Sequence, residues 1–585
     1  MEQAIAAIQA AVQRAERGDP AGAAADLAQA AAMAPDHLPV QATCGTLLRQ
    51  LRHPNEALAC FDRALLLQPD HPALLGNRGL TLAELGRFGD ALGCIDRVAA
   101  LRPDDADTLV NRASLLSRLG RAPEALAACD QAVARRPDHA TSRAVRAGVL
   151  LKLKRYAEAI ADCDHALRLL PGNAEALVIR GNARLGQLRA PEALADFDRA
   201  LAPRPDHAET LVDRGNALIA LDRPEDALLN YDQALRLDPA NAHAWDHAAN
   251  ALRLLGRPSE ALARHEHAAT LAPEDAEVRN HLALCRLLLG DFPRGWREYE
   301  SRRSLGAGQA ERRLYAGASW LGRDDVRGKT VLLHAEQGLG DTIQFCRYAP
   351  MVAALGATVL LEVPPALRRL LFGLHGVNRV LTTDEPVPSY DFHCPLMSLP
   401  LALGTGLDTI PADIPYICPD PMGKLPATDR RRVGLAWSGN PAHTNDRNRS
   451  IPLARFVQVR AIDAEFHALQ TDIRDTDQAA LAGMIVPGPN EQDFADTAAR
   501  IAGMDLVITV DTSVAHLAGA MGLPVWILLP FDPDWRWLVH RDDSPWYPSA
   551  RLFRQSAPGD WDGVLDRVAA ELARVFSSRF CQLHP

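Results

Sequence analysis

Three stretches of the chain gather residue types that bind anions or move protons. The first is Gln337-Gly338-Leu339-Gly340-Asp341, a carboxylate beside glycines whose bare backbone lets a substrate come close. The second, AWSGNPAHTNDRNRS, is rich in short polar side chains and holds Asn440, His443, Arg447 and Arg449. A guanidinium there can grip a phosphate with two parallel hydrogen bonds. The third is Asp511-Thr512-Ser513, followed by His516. At the start of a helix, outward-pointing amides and the helix dipole would hold a pyrophosphate without a metal. Each stretch also has a plain structural reading. Asp341, directly before TIQF, could N-cap a helix; Thr512 and Ser513 could be a helix cap; the polar loop could be solvated; His516 could be core.

These residues need particular elements to position them. TVLLHA (330–335) reads as a short buried strand, EQGLGD as a glycine-bearing turn, and TIQFCRYAPMVAAL as a helix with apolar residues at helical spacing. That order puts Asp341 at the C-terminal edge of a strand, the opening of a Rossmann-like lobe. TVLLEV, the NRVLTT region and the segment around Asp391 supply further strands, alternating with helices such as PPALRRLLFGL, and the lobe spans 329–410. Prolines at 411, 415, 419, 421 and 426 predict an extended linker over 411–426. A second lobe follows over 427–577, with strand candidates RRVGLAWSG, AEFHALQ, GMIVP, DLVITV and LPVWILLP, a final amphipathic helix GDWDGVLDRVAAELARVF, and a tail at 578–585.

The segments EQGLGDTIQF, GLAWSGNPAHTNDRNRSIPL and VITVDTSVAHLAGAMGLPVW resemble, in order and spacing, the matching segments of glycosyltransferase family nine, which includes the bacterial lipopolysaccharide heptosyltransferases. The resemblance spans roughly 329–577 and implies two Rossmann-like lobes facing a cleft, the GT-B arrangement. The chain as a whole resembles bacterial tetratricopeptide proteins with such a tail.

Transfer of a sugar from a nucleotide donor needs a base for the acceptor hydroxyl and stabilisation of the departing diphosphate. The resemblance implies Asp341 as that base. It implies donor contacts from Gln337, Gly338, Gly340, Asn440, His443, Arg449, Asp511, Thr512, Ser513 and His516, with the 511–513 turn on the phosphates. Where heptosyltransferases carry a lysine three residues before a proline, this chain has Arg449 before Pro452, which keeps the charge. It also departs in LLPFDPDWRWLVHRDDSPWYPSARLF, where Trp535, Trp537 and Trp546 could stack on a sugar or base, or form a packed wall. No DxD-type metal motif stands where such a site would need one. The implied enzyme is inverting and metal-independent, transferring a hexosyl or heptosyl group, with no cofactor beyond the nucleotide-sugar co-substrate.

The first half follows a different grammar. Prolines stand at 35, 69, 103, 137, 171, 205, 239 and 273, always 34 residues apart, with an alanine twelve residues before each, from Ala23 to Ala261; Gly295 continues that alanine column. A second column of small residues runs Gly45, Gly79, Ala113, Ala147, Gly181, Gly215, Ala249 and Ala283, where two helices would cross closely. This period and helix-turn-helix grammar is that of the tetratricopeptide repeat, covering 1–303, with 304–328 as connector. The fold class is therefore α followed by α/β: a tetratricopeptide superhelix, then a two-lobed unit. Such a solenoid leaves a groove for a peptide or protein. Asn77, Asn111, Asn182, Asn216 and Asn250 are groove candidates, similar to the asparagine ladder of O-linked N-acetylglucosamine transferases, although the first column breaks at Val145 and Ile179.

Composition narrows the classes. Charged residues are 23% and the net charge is -10 over 585 residues, which gives a nucleic-acid partner little support. No apolar run reaches the length of a bilayer span, the N-terminus carries Glu2 where a secretory signal would be basic, and the ten cysteines lack CxxC spacing, so a cytoplasmic protein with neither metal nor disulfides is expected. Two alternatives stay open: a non-catalytic interaction scaffold with a degenerate transferase-like half, and transfer to a lipid-linked glycan or small molecule in place of a protein.

Overall fold

The computed structural model describes residues 1–305, 315–418, 428–443, 445–488 and 491–578. The chain divides into two compact units, Met1–Pro239 and Ala240–Pro585.

The first unit is helical throughout, with fourteen helices from Glu2–Glu16 to Pro224–Leu237 that pack as successive hairpins. The second helix of a pair stops just short of the proline comb, as at Met33, Leu67 and Leu101, because proline lacks an N–H and clashes with the preceding turn. The alanine column from Ala23 through Ala227 is fully buried, at 0% exposure. The second column is matched to the residue it faces. A β-carbon added to Gly45, Gly181 or Gly215 would come within 2.8, 2.6 or 2.4 Å of the rings of Phe61, Phe197 and Tyr231. Where Cys129 and Cys163 stand in place of those rings, the column carries Ala113 and Ala147. Volume lost on one helix is thus recovered on its partner, as close packing demands. Burial pushes the Cys129 and Cys163 thiols up to about 12, so they are packing groups and not nucleophiles.

One repeating feature escaped the sequence reading. Arg78, Arg112, Arg146, Arg180 and Arg214 pair with Asp62, Asp96, Asp130, Asp164 and Asp198 at 2.6–3.0 Å, once in each of five successive repeats.

The second unit begins with four more repeat helices, Ala242–Leu254, Pro258–Leu271, Ala276–Leu288 and Phe292–Tyr299. Trp296 and Tyr299, on the last of these helices, are buried, and what they close against is the α/β part of the same unit: Trp296 lies 5.2 Å from Trp535 and 6.5 Å from Phe345 between ring centroids. Two five-stranded parallel sheets follow. The first contains β1 (Ala318–Ser319), β2 (Thr330–His334), β3 (Thr358–Val363), β4 (Arg379–Thr382) and β5 (Phe392–Pro395), in the order β1-β5-β2-β3-β4. The second contains β6 (Arg432–Ala436), β7 (Glu465–Ala468), β8 (Leu506–Val510), β9 (Val525–Leu529) and β10 (Ala550–Arg554), in the order β10-β9-β8-β6-β7. Every residue of β8 and β9 is buried, which is why they read as apolar runs broken only by Thr509.

Several elements differ from expectation. GMIVP makes only a single bridge, His467 to Ile485, because the left-handed Gly483 and Pro487 leave no room for a ladder. β10 lies inside the tryptophan tract, which had been read for its aromatics. PPALRRLLFGL forms a 3-10 turn, Pro365–Leu367, and one helical turn, Arg368–Leu371. The helix expected from Thr342 starts at Leu339, gives way to a 3-10 turn at Cys346–Tyr348, and resumes at Ala349–Ala354, where Pro350 can occupy a first turn. Asp341 is therefore the third helical residue and not the N-cap, which is Gly338. Within the stretch read as connector, Ala318–Ser319 pairs with β5, and residues 306–314 lie outside the described set. So do residues 419–426 of the proline-rich linker, residue 427 after it, and 579–585 of the tail.

Candidate functional site

In a parallel sheet, the place where strand order reverses leaves a crevice at the C-terminal strand ends, because the flanking connections turn away to opposite faces. The first sheet reverses between β2 and β5, and the second between β6 and β8. The Gln337–Asp341 turn follows β2, the Ser438–Arg449 loop follows β6, and Asp511–Ser513 follows β8. All three open into one cavity of about 1110 Å³. Asp341 and the residues the resemblance assigns to the donor line it, namely Gln337, Gly338, Gly340, Asn440, His443, Arg449, Asp511, Thr512, Ser513 and His516, whereas Arg447 of the same polar loop is not among the lining residues.

The turns touch one another. A β-carbon on Gly340 would lie 2.9 Å from the His516 ring and 3.4 Å from the Ser513 Cα, so the close approach this glycine permits is that of the neighbouring helix, Ser513–Ala520. Gly439 plays the same part for Arg449, whose guanidinium would sit 2.6 Å from an added β-carbon. Arg449 Nη1 donates to the Asp511 carbonyl at 3.0 Å, which ties the polar loop to the start of helix Ser513–Ala520. Thr512 is the N-cap of that helix, and its hydroxyl lies 3.2 Å from that of Thr509. Burial, reinforced by Asp534, pushes the Asp511 carboxyl up to about 6. His516 combines its two readings. Its ring edge lines the cavity, while Nδ1 meets the Tyr547 hydroxyl at 3.0 Å and the ring stacks on Trp537 at 5.4 Å. Burial, together with Arg536, Arg347 and Arg449, holds this imidazole well below its usual range, so it is neutral. His443 is also held low, by burial and then by Arg449.

Asp341 has both carboxylate oxygens engaged. Oδ2 accepts from the Gly338 N–H at 2.8 Å and Oδ1 from Arg536 Nη2 at 2.5 Å. Arg536 went unnoticed in the sequence reading, which took the tryptophans around it as the informative residues. It also donates through Nε to Gln344 at 2.7 Å and through Nη1 to Asp534 at 2.9 Å, and lies 4.4 Å over the Trp535 ring. Burial opposes its charge, but Asp534 and Asp341 outweigh burial and keep the guanidinium charged. The loop carrying it is pinned from the repeat helices. Asp532 pairs with Arg253, Phe531 packs on the left-handed Gly256, and Trp535 packs on Trp296. Trp535 reaches the cavity, whereas Trp537 and Trp546 are fully buried packing groups.

The helical part of this unit supplies a wall as well. Asn280, Leu284, Tyr299 and Arg302 line the cavity, and Arg302 holds Glu336, the residue before the first turn, with two hydrogen bonds of 2.7 and 3.2 Å.

The groove asparagines are scattered by comparison. Asn111 lines a separate cavity of about 320 Å³ with Gly79, Phe88 and Arg118, and Asn77 lies on helix Pro72–Glu84. Asn182 donates to Asp213 at 3.1 Å and Asn216 accepts from the Tyr231 hydroxyl at 2.8 Å, so both amides are engaged inside the array. In the second unit, Asn250 lies 3.5 Å from His281, which is itself bound to Asp246.

The tetratricopeptide repeat pattern matches residues 45–106, 110–174 and 208–241. The first half of the chain is therefore made of tetratricopeptide repeats, a class of protein-interaction module. Over 329 residues the chain is 27% identical to Protein FlbA of Caulobacter vibrioides, an alignment covering 48% of this chain and 52% of FlbA. The chain thus spans about half the length of that curated relative. Among solved structures, a tetratricopeptide repeat protein of Parabacteroides merdae matches with 16% identity and a TM-score of 0.37, over 42% of this chain and 98% of that one. A thermophilic repeat protein of Thermus thermophilus matches with 24% identity and a TM-score of 0.29, over 31% and 99%. No helix among the described residues is long and apolar enough to cross a membrane.

Proposed function

We propose that this protein is a cytoplasmic glycosyltransferase that moves a sugar from a nucleotide donor to an acceptor hydroxyl on a protein recruited by the repeats, and that its C-terminal part is a GT-B unit. The observation that carries this reading is that Asp341, Arg449 and the Asp511–Ser513 turn open into one cavity at the reversal points of two parallel sheets. The first sheet's strand order, apart from β1, is that of a Rossmann half, and the second's is the flavodoxin-like order. Amides at the start of helix Ser513–Ala520 and the Arg449 guanidinium suit a diphosphate, and Asp341, lining the same cavity, suits a base.

The test is a thermal-shift screen against nucleotide sugars, since a ligand that binds only the folded state raises its melting temperature. A donor found this way should bind Arg449→Ala more weakly. It should still bind Asp341→Asn and turn over at least about a hundredfold more slowly. Full turnover by Asp341→Asn would remove the base assignment.

A second reading, the non-catalytic scaffold, is favoured by one observation: both carboxylate oxygens of Asp341 are already engaged, by Arg536 and by the Gly338 N–H, so an acceptor hydroxyl would have to compete for them. That reading predicts no turnover with any nucleotide sugar and unimpaired partner capture by the repeats.

A further inference from the structure

Arg536 is a tightly held charge in the cavity, and neither sheet topology nor the donor turn explains why it is there. Its side chain is 8% exposed and reaches three acceptors at once: Gln344, Asp534 and Asp341. Two of these, with the Trp535 ring beneath, would hold the guanidinium in place if the third were exchanged. The third is the candidate base. While Arg536 and Gly338 occupy its two oxygens, an incoming hydroxyl must compete with them for Asp341.

We propose that Arg536 is a positioning residue shared between Asp341 and an incoming diphosphate, so that donor binding draws the guanidinium off the carboxylate and unmasks the base. The inference rests on the glycosyl-transfer reading above. Geometry puts the competitors within one space: the residue next to Asp341, Gly340, lies against Ser513, and Arg449 holds the carbonyl of Asp511 at the start of the same helix. Arg536 lines the same cavity and acts electrostatically on Asp511 and His516, so a diphosphate seated on those amides would come under its charge. The diphosphate competes well, because a guanidinium fork matches phosphate oxygens and Arg536 itself is largely withdrawn from water.

With Arg536 turned to the phosphate, the acceptor's O–H bond breaks and its proton moves to Asp341 Oδ1. The acceptor oxygen forms its bond to the anomeric carbon as the carbon–oxygen bond to the diphosphate breaks. That bond's electron pair departs on the diphosphate, whose added charge is taken up by Arg536 and Arg449. No further reactant is required.

The test is a double-mutant cycle on the full chain, with ADP, GDP, UDP and inorganic pyrophosphate as probes and calorimetry as readout. Asp341→Asn keeps the shape but drops the charge that retains Arg536, so a diphosphate should bind at least about threefold more tightly, and Arg536→Gln should bind it more weakly. In the Arg536→Gln background, Asp341→Asn should bring no gain. If the gain persists there, loss of a repelling charge explains it and the proposal falls. It falls equally if Asp341→Asn folds normally and binds no more tightly. Should Arg536→Gln not fold, Arg536→Lys takes its place in the cycle: it keeps the charge without the fork, so the gain should shrink, and an undiminished gain overturns the proposal. Binding that depends on Arg449 without coupling between 341 and 536 leaves the transferase reading standing and removes this one. Absence of binding by any probe removes both.

Discussion

The repeat array of residues 1–239 and the cavity of the second unit solve opposite problems. In the array one solution recurs: a buried alanine, a small residue facing a ring or a thiol, and an arginine–aspartate pair, each at the same offset in unit after unit. Stability is spread over many similar contacts, so a surface change at one repeat is diluted. In the cavity, three turns from different strands meet at single contacts such as Gly340 on His516 and Arg536 on Asp341. Function there hangs on individual groups, and most of those groups are charged.

The contrast predicts a graded set of effects. The largest belongs to Asp341→Asn, which should lower turnover of an identified donor by about 10²–10⁴-fold while the melting temperature stays near wild type. Next, Gly215→Val would drive a side chain into the Tyr231 ring and should destabilise residues 1–239 by about 3 kcal/mol, read by urea unfolding, while nucleotide binding by the second unit persists. A loss of binding in that variant would show that the array's packing is not independent of the cavity. Arg449→Ala should weaken diphosphate binding by about tenfold or more, roughly 1.4 kcal/mol, with less effect on folding.

Asp213 gives a smaller effect with a defined pH dependence. Burial pushes its carboxyl up to about 6 despite the hydrogen bond from Asn182. A raised acid means the folded state binds more protons than the unfolded state between the ordinary carboxylate range and about pH 6. Stability is thus lost as pH rises through that window. Asp213→Asn should stabilise the array by about 1–2 kcal/mol at pH 7 and by nothing below pH 4, checked by melting curves at both. The smallest effect is that of a single ladder pair: Arg112→Ala should shift stability by no more than about 0.5 kcal/mol, since the pair is solvent-accessible. A much larger loss there would mean the ladder acts as a network, and the idea of diluted stability would need revision.

Much of the fold was legible, for reasons that particular residues illustrate. The 34-residue comb specifies helix ends locally, since each proline acts on its own turn, and the small columns report close packing by their volume alone. β2, β8 and β9 were readable because strands buried on both faces are largely apolar. β10 was obscured because its ARLFR sequence alternates charge and apolar residues beside a conspicuous run of tryptophans. The groove asparagines were visible as columns, but a column does not reveal which amides are already satisfied, as Asn182 and Asn216 are.

By itself, then, the sequence determined the repeat register, the parallel strands and the polar turns that follow β2, β6 and β8, because each is written in neighbouring residues. Tertiary structure alone decided that these turns share one cavity, that Trp296 and Tyr299 close onto the α/β part, and that Arg536 grips Asp341 across 195 residues of chain. The physical reason is that an ion pair between distant positions leaves no periodicity or composition to read. It exists only where folding brings a buried guanidinium up to a half-buried carboxylate and removes the water that would otherwise separate them.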